Sequence, residues 1–462
     1  MVQKTGTDFD VIIVGGGPAG IFCAYELKHL KPDLNILILE KGKRRPIDDK
    51  NNNLFGWGGA GAFSDGKLDL TSKVGGQLVD GGYLSSAEFD ELMKYVESFY
   101  EKFGGRQELK IGDEAKIAEF IRRANAVGLE LIPYPLKHWG REGAYELVEN
   151  LFDDLKESGV KIRLNSEAIS IERENTKFGP ARPRMWRVLL KNGETFWGKS
   201  LVNATGRAGA DWTVKELKKH GVKTENNPAD VGIRMEVKNS MVEELTDALY
   251  EFKLVYLTPE RRDRVRTFCV CPGGRVVKEQ HADFVAVNGQ TDNKRTDNTN
   301  FAILVSASFD EPFQDANAYG RYIAGLGTLL SNGSVLVQTL ADWQNKKRSK
   351  PLSLKNFPIK PTLSDAAPGN LRLALPEQIF SGVNEMIEAL GKFIPGLSNG
   401  NNALLYGVEA KFYSRKVVFK DGFETNASGL YVVGDGSGVT RGLAQSSIMG
   451  VKAAKEIIEK LK

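Results

Sequence analysis

One stretch near the start of the chain constrains the fold more than any other. An apolar run, Asp10–Val14, leads into Gly15-Gly-Gly-Pro-Ala-Gly20, and after a helix-like segment a second apolar run ends at Glu40. This pattern predicts a β-strand, a glycine turn, a helix and a parallel strand, with G-x-G-x-x-G in the turn and an acid 20 residues past its last glycine. The arrangement is typical of dinucleotide-binding domains.

Each residue of the turn has a physical role. Gly15 allows the tight turn, Gly17 lets the backbone approach a pyrophosphate, and Gly20 lets the helix pack closely on the strand. Pro18 and Ala19 complete the turn, and the exposed N–H groups and dipole of the helix that follows favour a phosphate. We predict that all five residues contact the cofactor.

The acid and its neighbour extend the predicted site. Glu40 is placed to accept hydrogen bonds from a ribose hydroxyl pair, which argues against a 2′-phosphate, and Lys41 follows it directly. The motif by itself does not distinguish FAD from NAD. A glycine-rich turn in another kind of α/β protein is the structural alternative.

Composition excludes several other classes of protein. The 462 residues suffice for two or three domains, and a net charge of +4 from 63 basic and 59 acidic residues gives no argument for nucleic acid. No apolar run approaches the length of a membrane span, no signal peptide is visible, and three cysteines do not make a disulfide framework. We expect a cytoplasmic protein with a small-molecule substrate; the oligomeric state stays open.

A second glycine-rich segment, Phe55–Leu68, is too rich in glycine for a regular element and too aromatic for a disordered linker. We interpret it as a loop along an extended cofactor, contacted by Gly59, Gly61 and Ser64. A flexible surface loop is the alternative. Lys67, at the end of the loop, is a candidate catalytic residue.

The remaining pattern divides the chain into two fold types. Helices are predicted at about 85–128 and at 143–158, and a β-meander at about 160–198. Longer strands with alternating polarity between 222 and 400 predict a mostly antiparallel sheet, with the polar stretch 288–300 as a loop. The predicted fold is α/β: a discontinuous Rossmann-like domain, 1–221 and 401–462, with an inserted mostly antiparallel α+β substrate domain, 222–400.

Two later segments again show an apolar strand that runs into a glycine-containing turn. An apolar strand runs into Ala204-Thr205-Gly206, and Gly429–Gly436 is a strand that ends in Gly434-Asp435 before a helix opens at Gly442-Leu443-Ala444. Together with residues 10–40, these segments resemble the two-domain FAD oxidoreductases of the glutathione-reductase-like superfamily. The resemblance implies that Ala204, Thr205 and Gly206 pass beside the cofactor and that Asp435, after Gly434, binds a ribityl hydroxyl. It also implies that the backbone of the helix start, Thr440–Ala444, which includes Arg441, Gly442, Leu443 and Ala444, faces the pyrimidine edge of the flavin. The Arg441 side chain either adds charge there or faces solvent.

A closer resemblance covers nearly the whole chain. The segments that carry it include Gly59–Leu68, Val265–Gly274, Asn298–Ala302 and Leu404–Tyr413. They are similar to microbial proteins known as FAD-dependent dehydrogenases or FAD-dependent oxidoreductases. That family name implies FAD as the cofactor but names no substrate.

The electron donor is left open by the sequence. No second G-x-G-x-x-G follows a strand in the middle of the chain, so a dedicated NAD(P) domain is not predicted. Electrons could come from transient NADH or NADPH, from the substrate or from a protein. The spacing of cysteines and histidines predicts no metal site.

The catalytic candidates are few. Cys269 and Cys271 form C-x-C, and we favour buried core cysteines over a strained disulfide or a Cys271 thiol that faces the flavin. Glu409, Lys411 and Tyr413 are predicted on one face of a strand, either as cross-strand surface pairs or with Lys411 or Tyr413 as proton donor.

We therefore expect an FAD-dependent oxidoreductase that transfers hydride to or from an organic substrate, for example by reducing a C=C bond. A flavin monooxygenase, a non-catalytic flavoprotein and an RNA-modifying flavoprotein are the alternatives, and the near-neutral charge disfavours the last.

Overall fold

The computed structural model describes residues 8–44, 55–63, 66–105, 107–110, 112–174, 185–291 and 295–461. Its helices are α1 Pro18–Leu30, α2 Ser86–Gly104, α3 Glu114–Asn125, α4 Gly140–Glu157, α5 Ala210–Lys219, α6 Asn239–Leu249, α7 Ala316–Leu330, α8 Leu340–Gln344, α9 Pro351–Lys355, α10 Glu377–Phe393 and α11 Leu443–Lys460. Short 3-10 turns lie at Gly59–Phe63, Arg207–Gly209, Leu371–Leu373 and Gly434–Ser437. Within the described ranges, no helix combines the length and the apolar character needed to cross a membrane.

The strands, in chain order, are β1 Asp8–Val14, β2 Ile36–Leu39, β3 Lys67–Asp69, β4 Leu129–Ile132, β5 Leu136–His138, β6 Lys161–Arg163, β7 Ala168–Glu174, β8 Met185–Leu190, β9 Thr195–Asn203, β10 Thr224–Glu225, β11 Ala229–Lys238, β12 Lys253–Leu257, β13 Arg264–Cys271, β14 Arg275–Gln280, β15 Val285–Gln290, β16 Asn298–Ala307, β17 Leu336–Thr339, β18 Ala367–Pro368, β19 Leu404–Lys411, β20 Lys416–Val417 and β21 Leu430–Val432.

The chain divides into two compact units. The first unit comprises Met1–Leu109, Pro135–Asn227 and Tyr413–Lys462, and the second comprises Lys110–Tyr134 and Pro228–Phe412. The predicted fold class, a Rossmann-like α/β domain with a mostly antiparallel α+β domain, is confirmed.

A mixed sheet forms the centre of the first unit. Strands β6, β2, β1 and β9 are parallel, and β9 continues into the antiparallel meander β8–β7. The carboxyl half of β9 also pairs in parallel with β21, Leu201 opposite Leu430. The elements at the two ends of the chain therefore meet on one strand. Buried apolar residues of β1, α1 and α11 pack together beside this sheet.

The second unit contains an eight-stranded sheet in the order β18-β17-β19-β11-β16-β13-β12-β4, antiparallel except at β17–β18. Apolar residues from β11 and β16 pack against α10 and α7. Nearly all of β11 is buried, although it carries Asp230, Arg234 and Glu236. Two of these charges are in ion pairs: Arg266 binds Asp230 at 2.6 Å, and Glu409 binds Arg234 at 2.7 Å. Glu236 accepts from the hydroxyl of Tyr406 at 2.5 Å.

The division differs from the predicted boundaries in two places. The helical insertion predicted at about 85–128 in the first domain is divided between the two units: Lys110–Tyr134 belong to the second unit, where β4 pairs with β12, Leu129 opposite Tyr256. The second unit also extends to Phe412, past the predicted end at 400, because β19 pairs with both β11 and β17 inside its sheet.

The prediction of a loop over 288–300 is wrong at both ends. Residues up to Gln290 belong to β15, and β16 begins at Asn298. The polar side chains of β16 are buried because they have partners: Asn298 donates to Glu236 at 3.1 Å, and Asn300 accepts from Arg234 at 2.8 Å. Polarity here marks a hydrogen-bonded interior instead of a loop.

Candidate functional site

A cleft of about 530 Å³ lies in the first unit. Its lining includes Val14 at the end of β1, Ala204 just after β9 and Gly434 just after β21. These three strands are parallel, so the cleft opens at their carboxyl ends, where ligands bind in open α/β sheets.

The glycine turn forms one wall of the cleft. Gly15 has a φ of +115°, and a Cβ there would lie 2.3 Å from the carbonyl oxygen of Ala204. Gly20 faces the strand, and a Cβ there would lie 2.1 Å from the carbonyl oxygen of Gly15. Gly17 precedes α1 and has no side chain, so it leaves the first-turn N–H groups of α1 uncapped. The turn thus presents backbone donors and a helix dipole to an anion.

Glu40 lines the cleft but also organises its wall. One carboxylate oxygen accepts from the backbone N–H of Gly16 at 2.8 Å, and the other accepts from Gly42 at 2.8 Å and Gly56 at 2.9 Å. The residue is 5% exposed. Glu40 therefore ties the first glycine turn to the second glycine-rich segment, a role that the sequence did not reveal.

The Ala204-Thr-Gly206 turn forms a second wall. The Thr205 hydroxyl donates to the side-chain oxygen of Asn203 at 2.8 Å, and Thr213 of α5 lies 3.0 Å from it. Arg207 follows the turn, and its Nε lies 3.5 Å from a carboxylate oxygen of Asp435. These bonds fix the turn against the last segment of the cleft.

Asp435 is held by three groups. Its carboxylate accepts from the hydroxyls of Ser446 at 2.9 Å and Thr440 at 3.2 Å, and it faces Arg207. Burial raises the pKa of Asp435 above its usual value, although Arg207 and the two hydroxyls oppose that shift. A partly buried carboxylate that lines a cleft is suited to accept a ligand hydroxyl.

Arg441 stands at the start of α11. Its guanidinium lies 3.7 Å from the ring centroid of Tyr413, in the cation–π arrangement. Its Nε and Nη2 are buried and have no hydrogen-bond partner among the described residues. Buried donors of this kind are normally satisfied, so this part of the cleft is built to receive an acceptor.

Most of the predicted cofactor contacts line this one cleft: Gly15, Gly17, Pro18, Ala19, Glu40, Lys41, Gly59, Gly61, Ala204, Thr205, Gly206, Gly434, Asp435, Arg441, Gly442 and Leu443. Gly20 and Ala444 are not in the lining and pack behind it. Ser64 lies outside the described residues. Lys67 of β3 also lines the cleft.

The sequence analysis missed several lining residues. They are Val14, Leu39, Phe55, Ala60, Asp69, Ser166, Glu167, Ala168, Ile169, Arg207, Ala208, Gly209, Trp212 and Ser446. Arg207 could have been predicted as a lining residue from its position directly after the Ala-Thr-Gly turn. Ser166–Ile169 follow β6 and carry no motif.

The second unit matches a known family over its main segment. Residues 228–412 match the family model described as "FAD-dependent protein, C-terminal domain-like". The match confirms FAD as the predicted cofactor.

Similarity to individual proteins is weaker. A protein of Clostridium beijerinckii described as an uncharacterized protein is 26% identical, over 97% of this chain and 80% of its own length. Among solved structures, glycine oxidase from Geobacillus kaustophilus shares 14% identity at a TM-score of 0.39, covering 98% of this chain and 95% of that chain. L-proline dehydrogenase from P. horikoshii shares 13% at 0.41, covering 99% and 95%. Both TM-scores are low, and neither activity is transferred to this chain.

The catalytic candidates other than Lys67 lie elsewhere. Cys271 and Lys411 belong to the family segment of the second unit, and neither lines the cleft. Lys411 is largely buried, with its Nζ 3.1 Å from Glu279 and 3.5 Å from Glu409. The interpretation of Glu409 and Lys411 as surface pairs is therefore wrong, because both side chains are largely buried.

Tyr413 does not share the face of that strand. β19 ends at Lys411, and Tyr413 belongs to the first unit, where its ring lies under the guanidinium of Arg441. The prediction that Glu409, Lys411 and Tyr413 lie on one strand face is wrong for Tyr413, because the strand stops before it.

Proposed function

We propose that this protein is an FAD-dependent oxidoreductase that transfers hydride between noncovalently bound FAD and an organic substrate. One observation carries the proposal: three segments far apart in the chain, around Gly15, Ala204 and Asp435, line a single cleft. When bound, FAD supplies the hydride chemistry. The protein supplies position and charge.

The cleft residues fit the parts of FAD. The uncapped start of α1 and the Gly15–Gly20 turn would hold the pyrophosphate. Glu40 would accept from the adenine ribose with lone pairs that its three N–H donors leave available, and Lys41 lies beside it. Asp435 would accept a ribityl hydroxyl. Gly17 has no side chain that would block a phosphate.

Arg441 and the start of α11 would hold the flavin ring. The Gly442 N-cap has no side chain, so the first N–H groups of α11 stay uncapped, and the Arg441 guanidinium adds two buried donors. Positive charge here favours electron density on the bound ring and so favours two-electron chemistry. Tyr413 would position Arg441 through the stacked ring.

Lys67 is the proposed proton donor within the cleft, since it is the candidate catalytic side chain that lines it. Its role is tested by Lys67→Met, which should leave FAD content unchanged and lower turnover with any substrate that needs a proton. Reduction of a C=C bond is the reaction to assay first.

Anaerobic titration of the purified yellow protein with NADH, and separately with NADPH, tests the proposal. We expect at least one of them to bleach the flavin absorbance, and Arg441→Met to slow the bleaching while FAD stays bound. Arg163→Met, which changes an exposed arginine paired with Glu194, is the matched control. A colourless protein that takes up no FAD would overturn the proposal.

Two other outcomes would redirect it. Oxygen consumption that requires both nicotinamide and substrate would indicate a monooxygenase. A bound flavin that neither nicotinamide nor a panel of organic substrates reduces would indicate a non-catalytic flavoprotein.

A further inference from the structure

The C-x-C segment of β13 does not have the geometry of a regular strand. In a regular strand the Cα atoms of residues i and i+2 lie roughly 7 Å apart, and their side chains stand in parallel. Here Cys269 has a φ of +47°, and the pairing of β13 with β16 shifts register between Phe268 and Cys271. The two sulfur atoms lie 3.9 Å apart as a result. In a regular strand the two cysteines would be held too far apart to bond. The bulge brings their sulfur atoms close enough for a Cys269–Cys271 disulfide to form.

A buried arginine holds this bulge in place. The Nη1 of Arg234 donates to the carbonyl oxygen of Cys269 at 3.1 Å, and the thiol of Cys271 donates to the same oxygen at 3.6 Å. Arg234 is itself fixed by two bonds to Glu409, at 2.7 and 2.9 Å. The unusual backbone at Cys269 is thus maintained by long-range contacts, which is how strained conformations persist at functional sites.

The two thiols differ in access and share a cationic neighbour. Cys269 is partly exposed, whereas Cys271 is 2% exposed. Burial alone would lower the pKa of Arg234, but the Glu409 carboxylate and the two cysteines raise it, which keeps the guanidinium charged beside the sulfurs. A nearby guanidinium favours the thiolate, the form that attacks disulfides.

We propose that Cys269 and Cys271 form a reversible dithiol–disulfide pair that exchanges with a low-molecular-weight disulfide. The Cys269 thiolate attacks one sulfur of the incoming disulfide, whose S–S bond breaks and releases one thiolate. The Cys271 thiolate then attacks the Cys269 sulfur of the mixed disulfide and releases the second thiolate. Two cysteine thiols are oxidised, one disulfide is reduced to two thiols, and two protons pass from the cysteines to the products.

The test uses the complete holoprotein and glutathione disulfide as the probe. The protein is reduced, freed of reductant without oxygen and incubated with excess glutathione disulfide; thiols are then counted after denaturation. The chain has three cysteines. We expect the count to fall from three to one, with a peptide carrying residues 269–271 that is lighter by two hydrogen atoms. Three thiols remaining, or loss only through dimers between chains, would overturn the proposal.

Single variants separate the two sulfurs. Cys271→Ser should capture one glutathione on Cys269, and Cys269→Ser should capture far less, because Cys271 is buried. Cys23→Ser is the matched control and should still lose two thiols; Cys23 is fully buried in the first unit. Equal capture by the two single variants would contradict the assigned order of attack.

The role of Arg234 is that of a positioning residue. Arg234→Lys keeps a positive charge but loses the planar guanidinium, whose several N–H groups bind both Glu409 and the Cys269 carbonyl. At a fixed ratio of glutathione to its disulfide, we expect a smaller fraction of the internal disulfide in this variant than in the native protein. Arg261→Lys, which changes an exposed arginine paired with Asp263, is the matched control. An unchanged fraction in a folded Arg234→Lys would remove Arg234 from the proposal.

Discussion

The two units use polar groups in opposite ways. In the first unit the polar groups around the cleft include backbone N–H groups at glycine turns, which the Glu40 carboxylate holds, and the Asp435 carboxylate, which side-chain hydroxyls hold. In the second unit the polar groups are side chains inside the sheet, where Arg234 and Glu409 are both 0% exposed. The cleft of the first unit therefore keeps donors that can bind a ligand. In the sheet of the second unit, the donors are already bonded to acceptors of the same sheet.

This contrast predicts which kind of substitution damages each unit. A cleft made of backbone groups is damaged by added atoms, since a side chain would fill the space that a ligand needs. A sheet that contains paired charges is damaged by removed atoms, because the remaining charge is left buried without its partner. Four substitutions test this contrast.

The largest expected effect belongs to Glu409→Leu. It leaves the buried guanidinium of Arg234 without its two carboxylate bonds, so the free energy of unfolding should fall by about 3–5 kcal/mol. Urea unfolding measures it. The control is Asp365→Ala, which removes a pair with Lys278 whose carboxylate is 66% exposed, and should cost at most about 1 kcal/mol. Equal losses in the two variants would refute the contrast.

Gly15→Ala should have the next largest effect. The added Cβ meets the Ala204 carbonyl at 2.3 Å in a backbone conformation that alanine rarely adopts, so we expect a loss of about 1–3 kcal/mol and no retained FAD. Thermal unfolding and flavin content measure both. Gly325→Ala in α7, where a Cβ has open space, should instead keep or raise stability. Normal flavin content in Gly15→Ala would contradict the role of the turn.

Gly17→Ala isolates the ligand from the fold. A Cβ at this position meets only the Cα of Gly59 at 3.9 Å, so stability should change by less than about 0.5 kcal/mol. Because the proposed pyrophosphate site lies at this turn, the added methyl group should reduce the space for the phosphate, and FAD affinity should weaken about tenfold, which corresponds to about 1.4 kcal/mol. Fluorescence titration of the apoprotein with FAD measures the affinity. An unchanged affinity would place the pyrophosphate elsewhere.

The smallest effect is on pH dependence and has opposite signs in the two units. In the first unit, burial raises the pKa of Glu456 from 4.5 to about 7, although the N–H of Phe423 opposes the shift. Stability should therefore be lost as pH rises from 4.5 through 7, and Glu456→Gln should remove that loss. Urea midpoints across this range measure it; an equally steep slope in the variant would contradict the assignment.

Glu279 of the second unit is the opposing control. Burial alone would raise its pKa, but His281 and Lys411 lower it from 4.5 to about 2. Its contribution is complete above pH 4.5 and is lost as pH falls toward 2. Glu279→Gln should therefore reduce the fall of the urea midpoint below pH 4.5 and leave its pH dependence above 4.5 unchanged.

Local patterns predicted the first unit better than the second. The strand–turn–helix–strand unit was predictable because its period and its glycines act over neighbouring residues, and the motifs around Ala204 and Asp435 led to the same cleft. The use of Glu40 by three backbone donors was not predictable, since Gly56 lies in another segment.

The strands of the second unit could not all be predicted from neighbouring residues, because their buried polar side chains bind partners that are distant in the sequence. Asn298 and Asn300 suggested a loop, yet they are strand residues paired with Glu236 and Arg234 of β11. The bulge at Cys269 was likewise unpredictable, because Arg234, 35 residues earlier, holds its carbonyl.

The shared pairing of β9 has a consequence for how the protein is made. Its partner β1 is synthesised early, but β21 and α11, which bring Asp435 and Arg441 to the cleft, are translated after all of the second unit. On the ribosome the nascent chain holds a half-formed site for most of translation. FAD bound in this cleft, as we propose, would therefore meet all of its walls only after α11 has left the exit tunnel.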